Sequence, residues 1–338
     1  MNGDQRNASG ARPDAHDDET RHRVSRLLAQ VWPNSTVATF ERVEKGISSL
    51  TYVLVVETDH GPVRLFAKCA PSGRRPTKNM DVMRQAQVLS YLRDIPEVPA
   101  PTVIVQDPGE PPGRPPLFVM SEIAGDAGDP WWASDPVMPD RQVADRAVEM
   151  MRVLGTLHRV TAARLPAGES PLSLVDEVNR WRAVFAALDD QTLAGEADAL
   201  YSRLLAAVPA PTSACLTHGD YRFGNIVFQE AAVSGVIDWE LWAASDARFD
   251  VANVLLYSGP ESALCLREST SHPSPDLLLE EYQRTAASVV RDLDWFMDAL
   301  RYKSAAALGL LVRNSRRRGR YDPLMDQVAE RIPPLLGV

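Results

Sequence analysis

The sequence has few cysteines and no long run of uncharged apolar residues. None of its stretches approaches the roughly 18 residues that a membrane-spanning helix requires, and the N-terminus has no apolar segment of the signal-peptide kind. We therefore expect neither a membrane anchor nor secretion. The three cysteines, Cys69, Cys215 and Cys265, form no CxxC pair, and their odd number favours a reducing, cytoplasmic environment.

Basic residues are fewer than acidic ones. The chain has 36 lysines and arginines against 45 aspartates and glutamates, and the net charge of −9 argues against general binding of nucleic acid. A local exception is a group of arginines near the C-terminus, which is typical of a solvated helix end but could alternatively receive a phosphate-bearing group such as that of coenzyme A. These arginines are Arg313, Arg316, Arg317, Arg318 and Arg320.

The length and composition are those of a soluble enzyme with a large core. At 338 residues, of which 45% are hydrophobic and 24% are charged, the chain is long enough to form two lobes. Residues 1–20 are polar and lack apolar periodicity, so we expect a disordered tail there. The sequence contains no internal repeat, and nothing in it indicates an obligate protein partner.

The most informative segment is a polar loop that begins with His218-Gly219-Asp220. Asn225 follows Asp220 after five residues, and Asp238 follows thirteen residues later. Phosphoryl transfer requires alignment and charge neutralisation, in which one carboxylate accepts the proton of the attacking hydroxyl while an amide oxygen and a second carboxylate hold Mg²⁺ on the phosphates. We therefore predict that Asp220 is the base and that Asn225 and Asp238 are the metal ligands.

The flanking residues predict a geometry that gathers these side chains. Residues 214–217 have the pattern of a short strand, and residues 226–228 with 233–237 have that of a hairpin. The hairpin would return Asp238 to the side of Asn225. The alternative is a surface loop in which the Asp and Asn side chains merely cap turns.

This segment resembles the catalytic loop and metal-binding segment of the aminoglycoside phosphotransferase and choline kinase group. These enzymes are distant relatives of protein kinases and carry His-Gly-Asp in place of His-Arg-Asp. The resemblance implies an α+β, bilobal, protein-kinase-like fold with a small antiparallel β-sheet N-lobe and a larger, mainly helical C-lobe. We expect the N-lobe at residues 21–123 and the C-lobe at residues 124–338.

The N-lobe segments follow in the order that the resemblance implies. Residues 51–56 and 63–68 predict two strands joined by a turn, and Lys68 falls where the kinase-like fold keeps its phosphate-binding lysine. The preceding loop, residues 45–52, resembles the nucleotide loop of the group. Taken alone, a single glycine in a loop is usually a turn and a strand-end lysine is usually solvated. The candidate loop residues are Gly46, Ser48 and Ser49.

The chain departs from the resemblance in the next helix. Residues 79–92 have apolar residues at helical spacing, and Gln85 occupies the position from which a Glu normally pairs with the lysine. An amide can accept a hydrogen bond from Lys68 but supplies no countercharge, so Asp81 could take over, and catalytic efficiency is in question. The alternative is an alignment that is wrong by one helical turn.

A strand and hinge at residues 118–125 resemble the segment that contacts adenine through backbone amides and an apolar wall. The implied contacts are Met120, Ser121 and Ile123, although Met120 is equally at home in an ordinary core. The hinge places the lobe boundary near residue 124.

Four further residues have expected roles, of which that of Arg222 is catalytic and those of Glu240, Asp250 and His218 are supporting. Arg222 stands where kinases place a cation that touches the transferring phosphate, or it is a solvent-facing residue or the partner of Glu240. Glu240 would orient a substrate group or a second metal. Asp250 matches a position that hydrogen-bonds the backbone of the catalytic loop, and it also suits the first turn of a helix. His218 opens the loop motif.

The combined reading is an ATP- and Mg²⁺-dependent phosphotransferase that acts on a hydroxyl of a small molecule. Residues 46–52, 118–120 and 178–182 look most similar to the kinase-like branch related to the domain fused to acyl-CoA dehydrogenases, which implies a hydroxyacyl-CoA acceptor. The alternatives are an antibiotic kinase of the aminoglycoside 3′-phosphotransferase type and, because of Gln85, a nucleotide-binding pseudokinase that acts as a regulator. The sequence leaves the choice between ATP and GTP open.

Overall fold

The computed structural model describes residues 15–43, 49–132, 134–162, 165, 169–188, 190–267, 271–317 and 322–337. The chain divides into two compact units. The first unit comprises residues 1–86 and 103–122, and the second comprises residues 87–102 and 123–338. Among the described residues, no helix is both long and apolar enough to span a membrane.

The first unit is built on a five-stranded antiparallel sheet with the order β1-β2-β3-β5-β4. It also contains helix α1 and the start of helix α2. The elements are α1 (Ala15–Val31), β1 (Thr36–Val43), β2 (Leu50–Thr58), β3 (Gly61–Cys69), α2 (Val82–Leu92), β4 (Val103–Asp107) and β5 (Leu117–Ser121).

The core of the first unit arises from alternation along the strands. Tyr52, Leu54 and Val56 of β2 are completely buried, and they pack in one cluster with Val24 and Leu28 of α1. Because successive side chains of a strand point to opposite faces, residues two apart share the buried face. The same alternation in β3 fixes the register that positions Lys68 opposite Thr51 of β2 and Phe118 of β5.

The first helix begins earlier than the sequence predicts. Helix α1 starts at Ala15, so the expectation of a disordered tail over residues 1–20 is wrong for residues 15–20, while residues 1–14 lie outside the described residues. Asp17 accepts a hydrogen bond of 2.7 Å from the hydroxyl of Tyr52, and Thr20 is buried. Residues 15–20 are thus helical because of contacts with other parts of the unit, and the pattern of apolar residues in this segment does not indicate them.

The second unit is mainly helical and also contains two small sheets. The long helix α8 packs against α4, α5, α6, α9 and α10 and carries Phe296, Leu300 and Leu308 on its buried face, whereas α3 packs mainly against α7. The elements are α3 (Asp140–Leu157), α4 (Leu174–Ala186), α5 (Gln191–Ala206), β6 (Cys215–Thr217), β7 (Ile226–Gln229), β8 (Ala232–Val236), β9 (Ala243–Ser245), α6 (Arg248–Tyr257), α7 (Pro275–Ala286), α8 (Leu293–Arg317), α9 (Pro323–Glu330) and α10 (Ile332–Leu335).

The boundary between the units differs from the predicted lobe boundary. Residues 87–102 and Ile123 belong to the second unit, whereas the sequence analysis assigned them to the N-lobe. The amide of Val236 in β8 donates a hydrogen bond of 2.8 Å to the carbonyl of Pro99. This long-range pairing, which has no local sequence signal, explains the assignment of residues 87–102.

Candidate active site

The loop after β6 is anchored to a buried carboxylate at the start of α6. Asp250 accepts hydrogen bonds from the amides of His218 and Gly219, at 2.6 and 2.9 Å. Burial alone would raise the pKa of Asp250, but the hydrogen bond from His158 and the donated amides hold it below its usual value. Asp250 therefore stays ionised and holds the loop backbone, which is the contact that the resemblance implies for this position.

His218 connects the loop to the end of β8. Its Nε2 lies 2.8 Å from the carbonyl oxygen of Ile237, and its Nδ1 lies 3.2 Å from the amide nitrogen of Asp220. A carbonyl can only accept and an amide can only donate, so the ring carries its proton on Nε2 and accepts at Nδ1. Burial lowers the pKa of His218, which keeps the imidazole neutral in this role.

The central contact of the loop joins Asp220 and Asn225. The Nδ2 of Asn225 donates to the backbone carbonyl of Asp220 at 2.8 Å and to its Oδ2 at 2.7 Å. Both partners are acceptors, and the amide group of Asn225 must therefore face them with its nitrogen. This orientation leaves the Oδ1 of Asn225 for a cation.

The hairpin of β7 and β8 brings Asp238 next to this pair. Ile226 is the partner of Val236 in the ladder, and beyond it the amide of Ile237 donates to the carbonyl of Asn225 at 2.9 Å. Asp238 has φ 63° and ψ 57°, a left-handed conformation that costs a non-glycine residue about 1 kcal/mol. The hairpin therefore has the geometry predicted from the sequence, and it returns the second acidic candidate to the catalytic loop.

The donor set fits Mg²⁺ only together with ligands from a substrate. Within the described ranges there is no group of three or more His, Cys, Asp or Glu side chains that could hold a metal ion. The protein ligands would be the amide oxygen of Asn225 and the carboxylate of Asp238. Mg²⁺ is commonly bound by one or two protein oxygens, with phosphate oxygens and water completing its octahedron.

Arg222 pairs with two carboxylates. Its Nε lies 3.3 Å from the Oδ2 of Asp220, and its Nη1 lies 3.9 Å from the Oδ2 of Asp129. Burial opposes the charge of Arg222, but these two carboxylates raise its pKa. A Cβ atom on Gly224 would lie 2.5 Å from the Nη1 of Arg222, so the glycine leaves the room that the guanidinium uses. Asp129 lies 93 residues before Arg222, so no local pattern in the sequence connects the two.

Lys303 is a second residue that the sequence did not reveal. Its ammonium, on α8, donates a hydrogen bond to the carbonyl of Gly219, directly before Asp220. Burial lowers the pKa of Lys303, whereas the charge of Asp220 opposes that change. Gly219 itself has φ 81°, and a Cβ there would lie 2.4 Å from the carbonyl oxygen of Leu241. Only glycine suits this tight approach.

Glu240 lies in a short 3-10 helix, Trp239–Leu241, that follows the hairpin. Its side chain is half-buried. The role expected for it, orienting a substrate group or a second metal, remains a prediction.

In the first unit, Lys68 forms a hydrogen bond with Gln85, the residue that the sequence predicts as its partner. Its Nζ lies 3.2 Å from the Oε1 of Gln85, and both side chains are buried. Asp81 instead caps α2, because its Oδ1 accepts from the amides of Met83 and Arg84. Gln85 therefore occupies the position next to Lys68 that the sequence predicts. Lys68 contacts the amide of Gln85 and not the carboxylate of Asp81.

The remaining nucleotide candidates are placed as follows. Gly46 and Ser48 lie outside the described residues, while Ser49 is buried immediately before β2. Met120 and Ser121 end strand β5, where they pair with Phe66 and Leu65 of β3. Ile123 belongs to the second unit, and its side chain packs against Gly235 of β8. The roles predicted for these residues in binding a nucleotide remain predictions.

The sequence of this chain is similar to a known protein family and to a curated protein. The sequence profile of the phosphotransferase enzyme family matches residues 39–318. Acyl-CoA dehydrogenase family member 10 of Mus musculus is 26% identical over 213 residues, which are 60% of this chain and 19% of that protein. The match thus spans about a fifth of the curated relative.

Two solved structures show the same fold. A Ralstonia eutropha protein, assigned provisionally as an aminoglycoside phosphotransferase, superposes with a TM-score of 0.71 at 17% identity and covers 93% of this chain and 95% of its own. A thermostable mutant of the aminoglycoside phosphotransferase APH(4)-Ia, in complex with ADP and hygromycin B, superposes with a TM-score of 0.60 at 12% identity. This match covers 93% of this chain and 98% of that protein. The predicted kinase-like α+β fold and both predicted resemblances are confirmed.

Proposed function

Because the chain belongs to the phosphotransferase enzyme family, we propose that it transfers the γ-phosphoryl group of ATP to a hydroxyl of a small molecule in a Mg²⁺-dependent reaction. The observation that carries this proposal is the contact of Asp220 with Asn225 in a loop held by Asp250. Family membership and the solved neighbours establish a phosphotransferase of the kinase type. The nucleotide, the metal and the acceptor are the proposed part.

Asp220 accepts the proton of the attacking hydroxyl. Its Oδ2 already receives hydrogen bonds from Asn225 and Arg222, whereas its Oδ1 receives none from the described residues. The unengaged oxygen is therefore the one that orients the acceptor hydroxyl and takes its proton. The hydrogen bonds of His218 and Asp250 hold the backbone of the loop in one conformation. They therefore keep Asp220 aligned with the acceptor hydroxyl, on which phosphoryl transfer depends.

Cationic and amide groups complete the proposed machinery. Bound Mg²⁺ would neutralise phosphate charge as it moves to the leaving group. Asn225 offers its Oδ1 and Asp238 its carboxylate to that ion. Arg222 would contact the transferring group, and this role is supported by the space that Gly224 leaves for its guanidinium. Lys68 is proposed to bind nucleotide phosphate, supported by its hydrogen bond to Gln85.

For the acceptor, we propose a hydroxyacyl-CoA thioester. The support is the similarity to acyl-CoA dehydrogenase family member 10. An aminoglycoside acceptor is the second candidate, favoured by the hygromycin B complex of a solved neighbour. A nucleotide-binding regulator without turnover is the third, motivated by the neutral partner of Lys68.

The proposal is tested by acceptor-dependent ADP release. The protein is incubated with ATP and Mg²⁺ and with one acceptor at a time: a hydroxyacyl-CoA, the matching acyl-CoA without the hydroxyl, and hygromycin B. We expect ADP release and a phosphorylated product with the hydroxyacyl-CoA alone. Turnover with hygromycin B would favour the antibiotic kinase, and ATP binding without turnover for any acceptor would favour the regulator.

A further inference from the structure

A cavity of about 380 Å³ opens in the second unit between α8, the start of α5 and the C-terminal helices. Apolar side chains form much of its wall, among them Leu188, Leu193, Val312 and Ile332. Its volume lies in the range of small-molecule sites, which is roughly 300 to 1,000 Å³. Apolar wall and adequate volume together make it a candidate site for an organic ligand.

Three arginines of α8 also line this cavity, and they are only partly neutralised. Arg316 lies 3.1 Å from Asp326, and Arg313 donates to the carbonyl of Ala187. The Nε of Arg313 is buried and has no hydrogen-bond partner in the described part of the chain. Arg317 is exposed and makes no ion pair within those same residues.

One carboxylate lines the cavity as well, and it is already engaged. The Oδ1 of Asp190 accepts a hydrogen bond of 3.0 Å from the amide of Leu193, which caps the N-terminus of α5. The helix end thus compensates part of the charge of Asp190. The cavity retains an excess of positive charge from Arg313 and Arg317.

A solvated helix end does not account for this arrangement. Basic residues in the last turn of a helix complement its dipole while they remain in water. Arg313 stands a full turn before the end of α8, beside an apolar wall, with a buried Nε that has no hydrogen-bond partner among the described residues. A buried donor without a partner destabilises the folded protein, and a hydrogen bond to an anionic oxygen would remove that penalty.

We propose that this cavity binds an organic anion with an apolar body, a phosphate or carboxylate head group meeting the arginines and the body lying on the apolar wall. The site is separate from the catalytic loop. Lys303 contacts Gly219, and Arg313 follows ten residues later on the same helix, about 15 Å further along its axis. The inference therefore does not depend on the proposed reaction, and it is tested without ATP, metal or acceptor.

The test measures binding of four probes by isothermal titration calorimetry below their micellar concentrations. Octyl phosphate and octanoate carry both features, inorganic phosphate carries only the charge, and octyltrimethylammonium carries the apolar body with the opposite charge. We expect octyl phosphate to bind at least about tenfold more tightly than inorganic phosphate, since the methylene groups of its chain are buried against the apolar wall. Octyltrimethylammonium should not bind. Equal binding of both octyl probes would overturn the proposal.

Variants locate the site. The double substitution of Arg313→Gln and Arg317→Gln should weaken octyl phosphate about tenfold or more, because it removes the two arginines that give the cavity its excess of positive charge. Arg284→Gln is the matched control, since it removes an exposed arginine that is paired with Glu281 on α7. Equal affinity of the double variant and the control would place the ligand elsewhere.

A cavity-filling variant tests the apolar half independently. Ala329 lines the cavity, and Ala329→Leu should weaken octyl phosphate more than inorganic phosphate. The variant's unfolding curve checks that it folds. The Asp220→Ala variant should bind octyl phosphate as the parent protein does. If Asp220→Ala abolishes binding, the probe occupies the catalytic site and the proposal fails.

Discussion

The ammonium of Lys68 lies 3.2 Å from the amide oxygen of Gln85, so a neutral side chain occupies the place of the expected carboxylate. The amide holds the lysine by a charge-assisted hydrogen bond but provides no opposite charge. The Nε2 of Gln85 is itself buried without a hydrogen-bond partner within the described residues. Gln85 therefore holds the ammonium in place without adding a negative charge of its own.

Replacing Gln85 with Glu should raise kcat/KM for ATP about fivefold to tenfold. A carboxylate at this position adds a negative charge next to the ammonium of Lys68, and about 1 to 1.4 kcal/mol of better lysine positioning corresponds to that factor. Steady-state kinetics with varied ATP measures it. Gln87→Glu is the matched control, because it makes the same change two residues later at an exposed position. If kcat/KM for ATP is unchanged in both variants, the neutral side chain of Gln85 does not limit the function of Lys68.

Gly224→Ala should lower kcat while leaving the fold intact. The added Cβ would lie 2.5 Å from the Nη1 of Arg222, and a flexible guanidinium moves more readily than backbone. We expect kcat to fall by about 10²-fold, as when one donor to a developing charge is lost. Gly195→Ala, on α5 with no atom near its added Cβ, should keep full activity. An unchanged kcat in Gly224→Ala would remove Arg222 from the mechanism.

The buried imidazole of His218 should make stability depend on pH. Burial lowers its pKa below the ordinary 6.5, so the unfolded chain binds the proton more readily than the folded protein. The contribution of the neutral ring is complete above pH 6.5 and is lost as the pH falls below that value, with a slope of at most about 1.4 kcal/mol per pH unit.

Urea unfolding between pH 8 and pH 5 measures this dependence. His218→Gln, whose amide can still donate to the carbonyl of Ile237, should be less stable at high pH but show a flatter profile. His60→Gln, at an exposed turn, should leave the profile of the parent protein unchanged. A slope in His218→Gln equal to that of the parent would show that another group titrates.

The sequence sufficed for the parts of the site that depend on local spacing. Asp220 and Asn225 are five residues apart in one loop, and the two short apolar runs that form β7 and β8 indicate the hairpin that returns Asp238. The same holds for Lys68, because its strand pattern and the helical pattern around Gln85 are both strong.

Contacts between distant segments could not be predicted in this way. Lys303 reaches Gly219 across 84 residues, and Asp129 reaches Arg222 across 93. Neither residue has a pattern of its own, since a lone lysine on a helix or an aspartate in a loop is usually solvated. Only the packing of α8 and of the loop before α3 brings them to the catalytic loop.

The most direct test of the central claim compares nucleotide affinity with turnover in variants of Asp220. Asp220→Asn keeps a side chain that can be hydrogen-bonded but cannot accept the proton, and Asp220→Ala removes the group. In both, we expect calorimetry to give an ATP affinity within about twofold of the parent protein and ADP release to fall by about 10³-fold. Parallel loss of affinity and turnover, or turnover that survives in Asp220→Asn, would contradict the assignment of Asp220 as the catalytic base.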